Sequence, residues 1–295
     1  MEKYIIKETI IKIIRKFFYA RKFHEIIPPI LNDALPLEAN LRPFQTEQYF
    51  LPMSPERGLK KMLAQGVGNC FAIAQSFRNY EQLGTLHFNE FIMLEWYRKG
   101  AIFTDIMNDT EQLLRMINGK MDKKLVLSEK HFPQVSLNNL FETKIGEKLE
   151  KLINNEKLLH QIARKKNYIV EKETTWDELY DQLFVNEIEN TFTNEPFFLV
   201  DFPSRISRLC KRQKDNPHFA ERFELYIHGI EIGNGNTENT DTGEIRKYFE
   251  IEHKKSGMPI DEDFLASLDK MKHDIYAGMG LGIERLSLLF ENSDI

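Results

Sequence analysis

The run Gly278-Met279-Gly280-Leu281-Gly282-Ile283-Glu284-Arg285, followed by the apolar Leu286-Ser287-Leu288-Leu289-Phe290, reads as a glycine-rich loop opening a helix. Such a loop can bring backbone N–H groups and the positive end of a helix to a phosphate. The dinucleotide-binding fingerprint does not fit. Ile283 stands where a third glycine would fall, and the stretch from Leu286 to Ile295 is too short for the ~30-residue βαβ unit that should follow. What remains is Gly-x-Gly-x-x-Arg, expected to end a domain and to carry Arg285 to the phosphates of a nucleotide.

The rest of the chain sets the bounds. With 295 residues, 42% hydrophobic and 12% aromatic, it is long and apolar enough for one large domain or a domain with an insertion. Forty basic against 45 acidic residues give a formal net charge of -5, which disfavours extensive unaided binding of a long nucleic acid. Cys70 and Cys210 stand alone, so no Cys-x-x-Cys zinc pair is present, and unpaired thiols suit a cytoplasmic protein. Lys7, Glu8, Lys12, Arg15 and Lys16 interrupt the apolar start, which is therefore amphipathic and too polar to span a membrane. No signal peptide is expected.

Ile6, Ile10, Ile13, Ile14 and Phe17 recur at helical spacing and predict a helix from about Lys3 to Arg21. A strand entry broken by proline should follow over 24–31. Ser54-Pro55-Glu56 should cap and start a second helix. Strands are expected over 71–77, 91–96, 197–200 and 223–235, and helices over 105–117, 245–252 and 261–271. From 120 to 194 Lys, Glu and Asn dominate around helical stripes such as Trp176, Leu179, Tyr180 and Leu183, which predicts a helical insertion. Strands joined by hairpins and long connections give an α+β fold with a mostly antiparallel sheet.

Two further constellations carry chemistry. In Phe91-Ile92-Met93-Leu94-Glu95-Trp96-Tyr97, strand alternation puts Phe91, Met93, Glu95 and Tyr97 on one face. That face offers a ring for a base and a carboxylate for an ammonium; the same residues also fit a half-buried strand with a structural glutamate. In Glu224-Leu225-Tyr226-Ile227-His228-Gly229-Ile230-Glu231, His228-Gly229 fits a two-residue hairpin turn, with Tyr226 facing Glu231 and Glu224 diagonal on the same face. Two carboxylates there repel unless a cation lies between them; Mg²⁺ accompanying ATP is the natural candidate, and two solvated glutamates are the alternative.

Taken together, Phe77 to Tyr97, Ala220 to Glu238 and Gly278 to Arg285 resemble motifs 2 and 3 and the lysyl signature of the class II aminoacyl-tRNA synthetases. The long first helix and the proline-bearing segment after it resemble motif 1. Gly233-Asn234-Gly235 with Glu238 is typical of the lysyl branch. Met93-Leu94-Glu95-Trp96-Tyr97, Phe202-Pro203-Ser204 and Trp176-Asp177-Glu178-Leu179 resemble the subgroup that attaches lysine or (R)-β-lysine to a lysine side chain of elongation factor P.

The resemblance implies a single class II catalytic domain over 1–295, with the insertion at 120–194, and a homodimer. Because the motif 1 helix begins the sequence, no anticodon-binding domain is expected. Arg78 and Arg285 would be catalytic, gripping the α- and γ-phosphates of ATP. Asn79, His87, Asn89, Phe91, Glu231, Ile232 and Gly282 would complete the ATP site, and Glu224 and Glu231 would hold Mg²⁺. Ser54, Pro55, Glu56, Glu95, Tyr97, Asn234 and Glu238 would bind a lysine-like amino acid, with Glu238 on its far ammonium. Tyr80 and Asn236 depart from the family pattern, and Gly233, where the subgroup has alanine, implies a wider pocket. The expected reaction is formation of an aminoacyl-adenylate and transfer to elongation factor P. The alternatives are charging of tRNA or a small amine, and a non-catalytic paralogue that binds amino acid or nucleotide.

Overall fold

A computed structural model describes residues 2–39, 41–79, 86 and 88–291. The chain runs α1 (Glu2–Ala20), β1 (His24–Glu25), α2 (Glu56–Ala64), β2 (Cys70–Phe77), β3 (Glu90–Lys99) and α3 (Phe103–Asn118). There follow β4 (Gln134–Ser136), α4 (Leu137–Ile145), α5 (Leu149–Ile153), α6 (Glu156–Lys165) and α7 (Trp176–Leu183), the last continued by a π-helical turn over Phe184–Ile188. The chain closes with β5 (Phe197–Val200), β6 (Arg222–Ile227), β7 (Ile230–Thr237), α8 (Thr242–Ser256), α9 (Glu262–Met271), β8 (Tyr276–Gly282) and α10 (Ile283–Leu288).

Among the described residues the strands form one sheet in the order β1-β2-β3-β8-β7-β6-β5-β4. The outer pairs β1/β2 and β4/β5 are parallel and the rest antiparallel, as an α+β chain with hairpins predicts. One face is covered by α1, α3 and α10. Their apolar stripes meet Phe71, Leu94, Trp96, Phe223, Leu225 and Leu281, and Phe18 stacks on Phe71 with ring centroids 4.8 Å apart. Each such fully buried ring stabilises by roughly 2–3 kcal/mol relative to an exposed one.

The opposite face is covered only at its two ends. Helices α2, α8 and α9 pack on β2 and β3 through Leu59, Phe249, Phe264 and Leu268. Helices α4 to α7 pack on β5 and β6 through Phe197, Leu199 and Tyr226. Between these two masses β8 and β7, with the adjoining parts of β3 and β6, lie open, and that gap is the cleft.

Four expectations change. The glycine run is not a loop: Tyr276–Gly282 is a strand at the centre of the sheet, and α10 starts directly after it. Glycine is needed at 278 because neighbours approach closely; a Cβ there would lie 2.4 Å from the Tyr97 ring and 2.5 Å from the Trp96 carbonyl oxygen. The strand expected over 24–31 is only His24–Glu25, since Pro28 and Pro29 lack ladder N–H groups. Helix α2 begins at Glu56 with Pro55 at the cap position, while the Ser54 hydroxyl accepts from the Glu56 N–H at 3.2 Å. The stretch 120–194 is not uniformly helical; it contributes the edge strand β4 and shares its core with the sheet.

Candidate functional site

The hairpin β6–β7 turns at His228 and Gly229, both at positive φ (54° and 72°), as a two-residue turn with such a pair requires. Tyr226 pairs with Glu231 as its sequence predicts. A bulge then intervenes: Leu225 pairs with Gly233, so Ile232 is the extra residue. The bulge decides the site. Ile232 drops into the core behind the sheet, and Glu231 and Asn234, three apart in sequence, share the cleft face. The Asn234 side chain donates to Glu231 Oε1 at 3.3 Å.

In register across the central strands, Glu95 lies opposite Gly280, Gly280 opposite Asn234, and Asn234 opposite Glu224. One step along, Tyr97, Gly278, Asn236 and Arg222 form a second row. The glycines of β8 thus make a bare floor flanked by acids and amides. A cavity of about 570 Å³ at one end is lined by Arg78, Phe88, Phe91, Glu231 and Arg285. It runs into one of about 1360 Å³ lined by Ser54, Glu56, Glu95, Tyr97, Glu224 and Asn236; Arg78, Met93, Glu231, Asn234 and Gly280 border both.

At the smaller end, the Arg78 guanidinium sits 5.3 Å from the centre of the Phe91 ring. Arg285 donates from Nε to the Leu86 carbonyl at 3.2 Å and from Nη1 to the Glu231 carbonyl at 2.9 Å, with Glu231 Oε2 3.3 Å away. Arg78 and Arg285, 207 positions apart by their numbers (285 − 78), therefore flank one cavity. Gly282 is in its wall, and Ile232 contributes to it as well as to the core. The Asn79 N–H donates to the Arg42 carbonyl and the Asn89 carbonyl accepts from Arg78 N–H; neither Asn79 nor Asn89 borders the cavity. His87 and Tyr80 lie outside the described residues.

Glu224 accepts from Arg222 at 2.7 Å and lies 3.1 Å from the Tyr226 hydroxyl, which is also 3.1 Å from Glu189. Through Glu189 the 120–194 stretch thereby touches the Tyr226 hydroxyl that also holds Glu224. Burial, and then the charge of Glu231, push the Glu224 carboxyl up to about 7, against the pull of Arg222. Among the described residues no cluster of three or more acidic, histidine or cysteine side chains is placed to hold a metal. A hard divalent cation bound mainly by phosphates takes only one or two carboxylates, which Glu224 and Glu231 would supply.

At the larger end, Glu95 is buried and accepts from the Tyr97 hydroxyl at 2.5 Å. Burial, and then the nearby Glu56, push it up to about 8. Glu238 departs from its expected role. It lies behind the cleft wall, 2.5 Å from the Lys60 ammonium, which is also 2.5 Å from Glu56. Glu238 Oε1 accepts from Asn236 at 3.1 Å. The chain's own lysine, its side chain 1% exposed, thus occupies the place foreseen for a substrate ammonium. Burial opposes its charge, yet Glu238 and then Glu56 hold its pKa above the ordinary lysine value. Lys60 was visible in sequence only as the i+4 partner of Glu56. Arg222 could have been found by strand alternation, two residues before Glu224. Glu38, pushed up to about 7 by burial and then by Glu56, comes from a loop and gave no signal. At Gly233 a Cβ would lie 2.2 Å from the Gly280 carbonyl oxygen, so close strand approach, rather than a wider pocket, requires glycine there.

The model of the tRNA synthetases class II (D, K and N) matches residues 1–295. This chain belongs to that family. Among the class II relatives, the elongation factor P–(R)-β-lysine ligase homologue of Aquifex aeolicus is 34% identical over 285 residues, covering 94% of this chain and 91% of the relative. The elongation factor P–(R)-β-lysine ligase of Pectobacterium carotovorum is 32% identical over 309 residues, covering 98% and 90%. The lysine–tRNA ligase of Pasteurella multocida is 32% identical over 323 residues, covering 98% of this chain but 62% of its own length. This class II chain is a ligase, and its sheet is mostly antiparallel. No helix among its described residues is long and apolar enough to cross a membrane.

Proposed function

We propose that this class II ligase activates lysine or β-lysine with ATP and transfers the acyl group to a lysine side chain of elongation factor P. The observation that carries the reading is the continuous cleft, with Arg78 and Arg285 at one end and buried carboxylates at the other. A cationic end suits a triphosphate. An end bearing Glu56, Glu95 and Glu38 suits a dicationic amino acid and would repel an acidic one. The names of relatives aligned over nine-tenths of both chains supply the acceptor.

In this reading the amino-acid carboxylate attacks the α-phosphorus of ATP, and pyrophosphate leaves. The acceptor amine then attacks the acyl carbon, and AMP leaves. Positioning and charge stabilisation do most of the work. Phe91 stacks on the base, Arg78 orients the α-phosphate and Arg285 the γ-phosphate end, within a wall that includes Ile232 and Gly282. Glu224 and Glu231 would hold Mg²⁺, which supplies charge neutralisation for the leaving pyrophosphate. Glu95, Tyr97, Glu56 and Asn234 bind the amino acid beside Ser54 and Pro55. Glu238 acts through Lys60 rather than on substrate. Residues 120–194 are one insertion in a single catalytic domain. A cytoplasmic homodimer is the expected form; the exposed apolar side chains of Tyr4 and Ile5 in α1 and of Ile27, Ile30 and Leu31 after β1 support the dimer.

The test is pyrophosphate exchange across lysine isomers, followed by transfer of labelled amino acid to elongation factor P and to tRNA. Exchange with a lysine isomer and labelling of elongation factor P are expected. Exchange with aspartate or glutamate alone would refute the reading, and labelling of tRNA alone would replace the acceptor.

A further inference from the structure

Between Arg205 and Lys214 the sequence Arg-Ile-Ser-Arg-Leu-Cys-Lys-Arg-Gln-Lys carries five cations and no acid, in a chain whose formal net charge is -5. The first half of the segment lines the larger cavity through Ser207, Arg208, Leu209 and Cys210, and Lys211 to Lys214 continue from it outside that lining, so the segment forms one lip of the cleft. It is held rigidly. Lys211 N–H donates to the Thr237 carbonyl at 2.8 Å, the Lys211 carbonyl accepts from Glu221 N–H at 2.7 Å, and Gln213 N–H donates to the Phe219 carbonyl at 2.9 Å. Two of the cations are used internally, Arg205 with Asp177 at 3.3 Å and Arg212 with Glu244. Among the described residues, the side chains of Arg208, Lys211 and Lys214 make no ion pair or hydrogen bond, and both lysines are exposed.

We infer that this basic lip is the docking surface for the acyl acceptor, a protein whose surface beside its reactive amine is acidic. The inference rests on the activation reading above and adds the partner's chemistry. The lip borders the larger cavity, in which the acyl carbon would lie, and so stands beside the place where a carrier presents its amine. Three unpaired cations on a fixed backbone meet an acidic patch with little ordering cost. They also raise its encounter rate without entering the chemistry. A protein fits better than RNA. Neutralising a phosphate backbone takes a long basic track, whereas this positive charge is one short segment on an acidic chain.

The test is the double variant Lys211→Glu/Lys214→Glu in the full chain, beside Lys211→Gln/Lys214→Gln. Both side chains are exposed and outside the cavity lining, so folding and pyrophosphate exchange are expected to stay within about twofold of the parent, surface substitutions having small effects. The KM for elongation factor P should rise roughly tenfold with kcat retained, and the salt dependence of that KM should largely disappear; the glutamine pair should fall between. An unchanged KM in the glutamate pair overturns the inference, as does a loss confined to tRNA labelling. A parent enzyme that exchanges pyrophosphate yet labels no elongation factor P overturns the choice of partner while leaving activation standing. Absence of exchange with every lysine isomer removes the activation reading and this inference together.

Discussion

Gly280 and Gly278 occupy equivalent positions on the same strand face and should respond oppositely to a methyl group. At Gly280 the nearest atom to an added Cβ is the Met93 sulfur at 3.3 Å, the far part of a flexible side chain, whereas at Gly278 the Tyr97 ring and the Trp96 carbonyl lie within 2.5 Å. Gly280→Ala is therefore expected to melt within a few degrees of the parent and to raise the KM for ATP or amino acid at least several-fold, because the methyl projects where the two cavities join. Gly278→Ala should cost roughly 1–3 kcal/mol in denaturant unfolding through overpacking. Glu95 supports a proton-linkage prediction. Its carboxyl is raised to about 8, so near pH 7 the ligand-free group is largely protonated, while binding of an ammonium favours the carboxylate. Binding of a diamino acid should release protons below about pH 8, and affinity should strengthen as pH rises from 6 to 8. Titration calorimetry in buffers of differing ionisation enthalpy measures this directly. Glu95→Gln should abolish much of the release; an unaltered release would move the linkage to Glu38, whose carboxyl is also raised, to about 7.

Helix α2 is tied to its surroundings by charge as well as by apolar contact. Arg57 pairs with Asp33 at 2.8 Å and with Asp261, the cap of α9, while Lys60 joins Glu56 of α2 to Glu238 beyond the end of β7. These pairs fix the wall that carries Glu56 into the cleft. Lys60→Met keeps the apolar stem but leaves Glu238 buried without its cation, and unfolding should cost about 3–5 kcal/mol less than in the parent. Adding Glu238→Gln should restore much of that loss, since the fully buried carboxylate is then gone and the remaining partner, Glu56, borders the water-filled cleft. Additive losses in the double variant would show that Lys60 matters through packing instead. The bulge at Ile232 is the corresponding device on β7, because a regular hairpin would have sent either Glu231 or Asn234 to the core face.

At the scale of the molecule, the 120–194 stretch is joined to the sheet by a shared core. Trp176 is buried, stacks on Tyr180 with centroids 5.0 Å apart and donates its indole N–H to the Leu152 carbonyl at 2.8 Å. Tyr180, in the same cluster as Phe197, Leu199 and Tyr226, continues that packing to the strands. Trp176→Ala should lower stability by about 3–5 kcal/mol in a single unfolding transition, with adenylate formation lost as the protein melts. A separate early transition that left adenylate formation intact would mean that the helices fold on their own. Hydrophobic periodicity revealed most helices and strands because burial of one face is a local property of 3.6- and 2-residue repeats, and Phe91, Glu95, Tyr97, Glu224 and Glu231 could be placed on faces for the same reason. Periodicity could not distinguish a glycine strand from a glycine loop, since the demand for glycine at 278 comes from Tyr97 and Trp96 on a neighbouring strand. Nor could it anticipate the Ile232 bulge or the burial of Lys60 against Glu238, which depend on register and on helices distant in sequence. Local repeats and motif residues were enough to specify most of the elements, the family and the residue types that line the cleft. Which carboxylates face the cleft, and which is already neutralised from within, follows only from packing of the whole chain, because the cost of a buried charge depends on neighbours that the sequence brings together late.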